Sequence, residues 1–448
     1  MKILVSAANF CREPLPVYPL GMGVIAAVLS AAGHDVRQFD PLPCGENDYP
    51  ARAAELCRDF TPDLVCVSIR NLDVADSQSA NQALFQAVCA VIATWRRLCA
   101  APIILGGSGF TMNPEAVMKH SGADYGIAGE GESAILELVA AIAASRPPVR
   151  GTIIRKPAAA LSGARYSRQI AAYYDDQTHI MPLQTKRGCP FHCVYCTYPS
   201  LEGRTLRLRP LDEVLDDISY LKMTYPDAML YFTDSVFNDP SHHYQDILRG
   251  MLERDLTMPW TGFITPFGVN GDDLDLMAAS GLICADLGMD GTTDATLAGL
   301  GKHFTFQEAR TCCEQLLTRK VSVHANAMFG GPGETWDTVR EGIANLLALA
   351  PVYTIIFSGI RLLSGAPIIA TARREGLIAD DWDDTQPLYY YAPGIDADTL
   401  HQQLLAAFKD SPYCVYPPSS RSNDYRTLHK YGFAKLKKLE LSQQRRRS

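Results

Sequence analysis

Between Gly188 and Pro199 the chain reads GCPFHCVYCTYP, which places Cys189, Cys193 and Cys196 in one short loop at C-x3-C-x2-C spacing. Thiolates gathered in this way bind metal. A structural zinc ion or a complete iron–sulfur cluster takes four protein ligands, and this loop offers three. His192 is a poor fourth, because it adjoins Cys193 and adjacent side chains diverge. Three thiolates suit a [4Fe–4S] cluster that leaves one iron open, and an open iron can hold a small chelating molecule. The chain has thirteen cysteines, and most others stand singly in apolar surroundings, as do Cys57, Cys66, Cys89, Cys99 and Cys284. They read as small hydrophobes in a reducing compartment. Cys312 and Cys313 lie in the helical pattern EARTCCEQLL and read as helix core, with a substrate-facing thiol as the other reading.

A ligand loop needs a scaffold, and the residues from 181 to 375 supply one. Apolar strand runs and helical runs alternate there: PLQTKRG, AMLYFTDS, WTGFITP, ICADLGMD, VSVHANAMFG and YTIIFSGIRLL are strands, each pair separated by an amphipathic helix. Six successive β/α units predict a partial (β/α)6 TIM-type barrel. In such barrels the chemistry sits on the loops that follow the strands, and the cysteine loop follows the first.

Residues 1–145 alternate in the same manner. KILVSAA, HDVRQFD, PDLVCVSI, PIILGG and ADYGIAG are near-continuous apolar strands between helices. The pattern predicts a five-stranded, doubly wound, Rossmann-like parallel sheet. Ligands bind such sheets beyond the carboxyl ends of the strands. The loops there carry Asn9, Ser68, Arg70, Asn71, Gly106, Gly107, Gly109, Gly129 and Glu130. Small residues let a backbone approach a ligand closely, although the glycines also suit a tight strand-to-helix turn. The first loop lacks G-x-G-x-x-G, so a nicotinamide site is not expected. Residues 146–180 are rich in Pro and Arg and read as a linker. Residues 376–448 read as an irregular extension that caps the barrel, ending in the basic, solvated KLKKLELSQQRRRS.

The cysteine spacing, the aromatic Tyr195 before the last cysteine and the six-unit barrel together resemble the radical SAM superfamily. The preceding α/β domain and the stretches YPLGMGVIAAVLSAAGHDV, ILGGSGFTMNP, ADYGIAGEGES and TYPSLEGRTLRLRP are similar to its cobalamin-binding subclass. The resemblance covers roughly residues 1 to 375. It implies a [4Fe–4S] cluster on Cys189, Cys193 and Cys196, and S-adenosylmethionine chelated to the open iron. It further implies contacts to that molecule from Tyr195, Asp234, Asp290, Gly330, Gly331 and Arg361. Cobalamin is expected on the nine strand-end residues of the first domain. The D-x-H-x-x-G signature is absent, since the first loop reads NFCREP and His34 lies at a helix-to-strand corner. The resemblance therefore implies base-off cobalamin without a histidine ligand.

The activity so implied is methylation of an unactivated carbon or a phosphorus centre in a small metabolite or lipid-like intermediate. The alternatives are a radical rearrangement or cyclisation, aminocarboxypropyl transfer, or a cluster that only moves electrons. An external electron donor such as flavodoxin or ferredoxin is expected. A net charge of −8 argues against nonspecific nucleic-acid binding. The N-terminal MKILVSAANF reads as a strand rather than an export signal, and no transmembrane run is present, so a cytoplasmic protein is expected. LYYYAPGI and Tyr413 read either as pocket lining or as surface packing.

Overall fold

In the computed structural model, residues 1–421 are described, apart from 13, 14, 73–75, 80, 81, 159, 380, 381 and 383–385. The first sheet contains β1 (Lys2–Ala7), β2 (Asp35–Phe39), β3 (Leu64–Ser68), β4 (Ile103–Gly106), β5 (Tyr125–Ala128) and β6 (Ile153–Arg155). Its order is β2-β1-β3-β4-β5-β6, and every pairing is parallel. Val, Ile and Leu fill its central strands because helices cover both faces. The sixth strand lies where a linker was expected. Three residues, IIR, extend the sheet by pairing with Gly126–Ala128. The rest of that supposed linker holds the helix Arg168–Thr178.

The second sheet begins with β7 (Ile180–Leu183). A short antiparallel hairpin follows, β8 (Lys186–Arg187) with β9 (Arg207–Leu208), and it carries the cysteine loop at its tip. Then come β10 (Met229–Phe232), β11 (Trp260–Ile264), β12 (Leu282–Asp290), β13 (Ser322–Phe329) and β14 (Tyr353–Ser358). These pair in parallel in chain order from β7 to β14, which makes the six-strand partial barrel. The helices after β11, β12 and β13 start on capping boxes, Asn270 with Asp273, Thr305 with Glu308 and Thr335 with Thr338. Each cap is worth about 1 kcal/mol and fixes where a site loop ends.

The C-terminal segment is more regular than its composition suggested. β15 (Ile360–Arg361) pairs antiparallel with β16 (Tyr389–Tyr390). The helix Ala397–Phe408 follows, and β17 (Cys414–Val415) adds a seventh strand to the open edge at β14. Tyr390 is buried, and the Tyr391 hydroxyl donates to the Ser358 carbonyl at 3.2 Å, so the tyrosine run packs this segment onto the barrel. The basic tail lies outside the described residues. No helix among the described residues is long and apolar enough to cross a membrane.

One continuous cluster of buried side chains joins both sheets. It runs from Ile3 and Tyr18 through Tyr166, Tyr174 and Met181 to Leu230, Ile356 and Tyr416. A second cluster, including Phe60, Trp95 and Phe110, fills the opposite face of the first sheet. The joint is also tied by hydrogen bonds: Tyr174 donates to Asp40 Oδ2 at 2.6 Å, and Tyr166 to the Pro182 carbonyl at 2.6 Å.

Candidate active site

The hairpin β8–β9 holds the cysteine loop by its backbone. Gly188 opens the loop at φ +100°, and a Cβ there would lie 2.2 Å from the Thr205 carbonyl oxygen, so only glycine fits. Cys189 N–H donates to Gly203 O at 3.1 Å, and Val194 N–H to Leu300 O at 3.0 Å. All three cysteines line one cavity of about 230 Å³, walled by strand ends that contribute Ser235, Phe263, Gly288, Asp290 and Asn326. Burial pushes the thiols of Cys189 and Cys196 up, the second to about 12. A bound metal would reverse that by holding them as thiolates. Among the described residues, the group of three potential ligand atoms drawn within 4.8 Å of one another lies elsewhere, at Cys284, Asp286 and His324.

Beside the sulfurs stands a buried polar set. The Tyr195 hydroxyl donates to Asp290 Oδ2 at 2.5 Å. Lys302 donates to the same carboxylate and to the Gly288 carbonyl at 3.0 Å. Burial disfavours the Lys302 ammonium, but Asp290 and the nearby cysteines outweigh it, so it stays protonated above the usual range. Asp290 sits at the end of β12 with φ +64°. Lys302 was not singled out from the sequence, where it is one lysine in GLGKHF; the one local signal is Gly301, whose Cβ would strike the His192 carbonyl at 2.7 Å.

The expectation for Asp234 needs correction. Its carboxylate is fully buried and is not part of the cavity wall. Oδ1 accepts from the backbone N–H groups of Thr185 (2.7 Å) and Lys186 (3.2 Å), and Oδ2 from the Thr185 hydroxyl (2.5 Å) and Lys186 Nζ (3.2 Å). Nothing remains to contact a ligand. Arg361 is buried too, donating to the Leu362 and Leu388 carbonyls where β15 meets β16, outside the cavity wall. Gly330 and Gly331 also lie outside it. Their missing Cβ atoms leave room for Tyr391 and Ile360, which would otherwise stand 2.9 Å and 2.8 Å away.

A second cavity, of about 300 Å³, opens between the two sheets. Ser68, Gly106, Gly107, Gly129 and Glu130 line it from the first sheet, and Gln184, Arg187, Tyr198, Glu202 and Thr233 from the barrel. Its inner end is apolar, with Val5, Val24, Cys66, Ile104, Ile127 and Ile135. Asn9, Arg70, Asn71 and Gly109 stand outside this wall. Asn9 Oδ1 is taken by the Cys11 N–H at 3.0 Å, and a Cβ on Gly109 would meet the Arg70 carbonyl at 2.9 Å. Gly107, at φ +95°, packs against Ile69 and serves the turn, whereas a Cβ on Gly129 would meet open space. His34 lies near the amino terminus, 3.4 Å from the Met1 nitrogen.

At the mouth, Glu130 takes both arms of Arg207, the Ala158 N–H at 2.7 Å and Arg187; Arg187 also pairs with Glu132 at 2.7 Å. Burial works against the Glu130 carboxylate, but these donors win and hold it below the usual range. Tyr198 lines both cavities, so the two adjoin at that residue.

The family model for the B12 binding domain matches residues 14–139, and that for the radical SAM superfamily matches residues 183–345. The chain is 24% identical to tryptophan 2-C-methyltransferase of Streptomyces laurentii, over 78% of this chain and 71% of that one. It is 23% identical to cytidylyl-2-hydroxyethylphosphonate methyltransferase of Streptomyces wedmorensis, over 76% and 74%. Its fold is similar to that of the radical S-adenosylmethionine methyltransferase TsrM from Kitasatospora setae, solved with cobalamin and a [4Fe–4S] cluster bound. There the TM-score is 0.82 at 21% identity, covering 98% of this chain and 99% of that one.

Proposed function

Because the chain belongs to the cobalamin (B12)-binding radical SAM enzymes, we propose that it is a methyltransferase that acts on a small organic molecule. The observation that carries this reading is the wall shared at Tyr198 between the cysteine cavity and the interdomain cavity. Group transfer needs reacting atoms at near-contact distance, about 3–3.5 Å, and two cofactor sites that share a lining residue are neighbours, as that demand requires.

When bound, the cluster with S-adenosylmethionine supplies a carbon radical, and cobalamin supplies a methyl carrier; the chain supplies position and charge. Cys189, Cys193 and Cys196 would hold the cluster. Lys302 would face the carboxylate of S-adenosylmethionine, while Asp290 and Tyr195 fix the ammonium in place. The apolar inner end of the second cavity suits the detached base of a base-off cobalamin, and the open space above Gly129 suits an amide-bearing rim. Phe263 and Asn326 offer a substrate one flat apolar face and one amide. An external one-electron donor would be needed, and we place the enzyme in the cytoplasm, where the cysteines outside the cluster loop stay reduced.

The test is anaerobic turnover of the cluster-loaded, cobalamin-loaded chain with methyl-labelled S-adenosylmethionine and a low-potential reductant. Tryptophan and a cytidylyl-hydroxyethylphosphonate are the first substrates to try, since relatives are named for them. Label in a product carbon, with S-adenosylhomocysteine formed in step, supports the reading. Product formed with 5′-deoxyadenosine but without label in it would replace methyl transfer by rearrangement or cyclisation.

A further inference from the structure

Below the cysteine cavity the barrel interior carries a second polar layer. Side chains alternate along a strand, so Cys284, Asp286 and Gly288 of β12 share one face, up to the register irregularity between Leu287 and Asp290. Gly288 and Asp290 line the cavity, which places Cys284 and Asp286 on the same inner face, nearer the amino end of the strand. On β13 the same holds for His324 beneath Asn326. Asp286 and His324 stand directly opposite in the parallel register. Barrel interiors are ordinarily filled by layers of branched apolar residues. Here a thiol, a carboxylate and an imidazole occupy one layer, with Cys284 and His324 buried and Asp286 half-buried.

The three potential ligand atoms lie within 4.8 Å of one another. His324 Nδ1 is 3.6 Å from Asp286 Oδ1. That spacing is an ion-pair distance in the chain as it stands. It matches the ligand-to-ligand edge of a tetrahedral zinc site, about 3.3–3.7 Å for bonds of 2.0–2.3 Å. We propose that Cys284, Asp286 and His324 hold a single zinc ion, separate from the cysteine loop, with the fourth position open toward the barrel interior. One thiolate and one carboxylate would balance the dication, and one sulfur, one nitrogen and one oxygen ligand select zinc over magnesium or calcium. The ring of Tyr353, 5.4 Å from that of His324, and Thr261, opposite Cys284 on β11, form the surrounding layer.

The experiment uses the full chain with its iron cluster reconstituted, incubated with zinc sulfate and passed through gel filtration. Metal analysis should find one zinc per chain beside the iron, and zinc-edge X-ray absorption should find one sulfur neighbour. Cys284→Ala and His324→Gln should each lower zinc at least tenfold, leaving iron content near that of the wild type. Less than a tenth of an equivalent of zinc on the folded wild type would overturn the site. So would zinc with three sulfur neighbours, which would put the ion on Cys189, Cys193 and Cys196, or zinc retained in both variants. Loss of iron with zinc intact would count against the cluster reading alone.

Discussion

Replacing Asp234 by Ala separates a structural carboxylate from a ligand-binding one. Its two oxygens serve four donors at 2.5–3.2 Å in a fully buried position. Lys186 keeps Asp239 at 2.8 Å and the Phe237 carbonyl at 2.8 Å, so its ammonium is not abandoned. The Thr185 hydroxyl and two backbone N–H groups are. Orphaned buried donors cost about 1–3 kcal/mol each, and removing one partner of a buried ion pair costs roughly 3–5 kcal/mol in total. Taking about 4 kcal/mol, and a shift of about 2–4 °C per kcal/mol for a unit the size of the barrel, the melting temperature should fall by roughly 8–16 °C. Asp234→Asn keeps an acceptor for both backbone groups but turns an amide N–H₂ toward Lys186, so it should lose about half as much. Differential scanning of the cluster-free chain measures the fall. S-adenosylmethionine affinity, normalised to iron-loaded protein, should stay within about twofold of wild type. A melting temperature within about 2 °C of wild type together with tenfold weaker S-adenosylmethionine binding would refute the argument.

Three further outcomes are expected. Replacing Cys189, Cys193 and Cys196 together by Ala should abolish iron uptake on anaerobic reconstitution, while Cys312→Ala or Cys313→Ala, both in helix core, should leave four irons per chain by iron analysis. Gly21→Leu should block cobalamin at the cavity mouth, because the Cβ meets only Ser68 Oγ at an ordinary 3.4 Å and the longer chain enters the space beyond. Equilibrium dialysis should show at least tenfold weaker cobalamin binding, with helix stability unchanged or raised by up to about 1 kcal/mol. Burial pushes the Asp40 carboxyl up to about 6, against the Tyr174 hydrogen bond. Its folded pKa lies above its unfolded one, so the stability it contributes below about pH 4 is lost as pH rises through about 6, a loss of the order of 3 kcal/mol. Asp40→Asn should remove that slope; an unchanged gap between the melting temperatures of the two proteins at about pH 5 and pH 7.5 would show that Asp40 is not its source.

The long strands were legible because a parallel sheet covered on both faces needs unbroken apolar runs, and such runs stand out. β6 and β17 were not, since IIR and CV are too short to show a period and form only because a paired neighbour offers its edge. The cysteines stand out by their spacing, Tyr195 as the aromatic before the last of them and Asp290 by its place at a strand end, and all five line one cavity. The surroundings of Asp234 are not legible in the sequence for a geometric reason. Thr233, Asp234 and Ser235 are consecutive, yet Thr233 faces the interdomain cavity, Ser235 the cysteine cavity and Asp234 the core between them. Sequence locates a strand end to within a residue or two, and successive residues there point in different directions. Lys302 escaped notice because its role depends on Asp290 and on a tertiary burial that no local pattern announces.

The continuous core between the sheets makes the modular look of this chain misleading. A cut at residue 145 falls in polar, proline-rich sequence, where a boundary is ordinarily drawn. Yet Tyr18 packs its ring 5.2 Å from Tyr166 and 5.6 Å from Tyr174, both downstream of that cut, and β6 and the Asp40–Tyr174 bond would go with them. An excised first half would expose aromatic surface and lose an edge strand. A chimera that grafts a relative's first half must therefore inherit the segment through Thr178 from the same parent, or the graft will be soluble only in company.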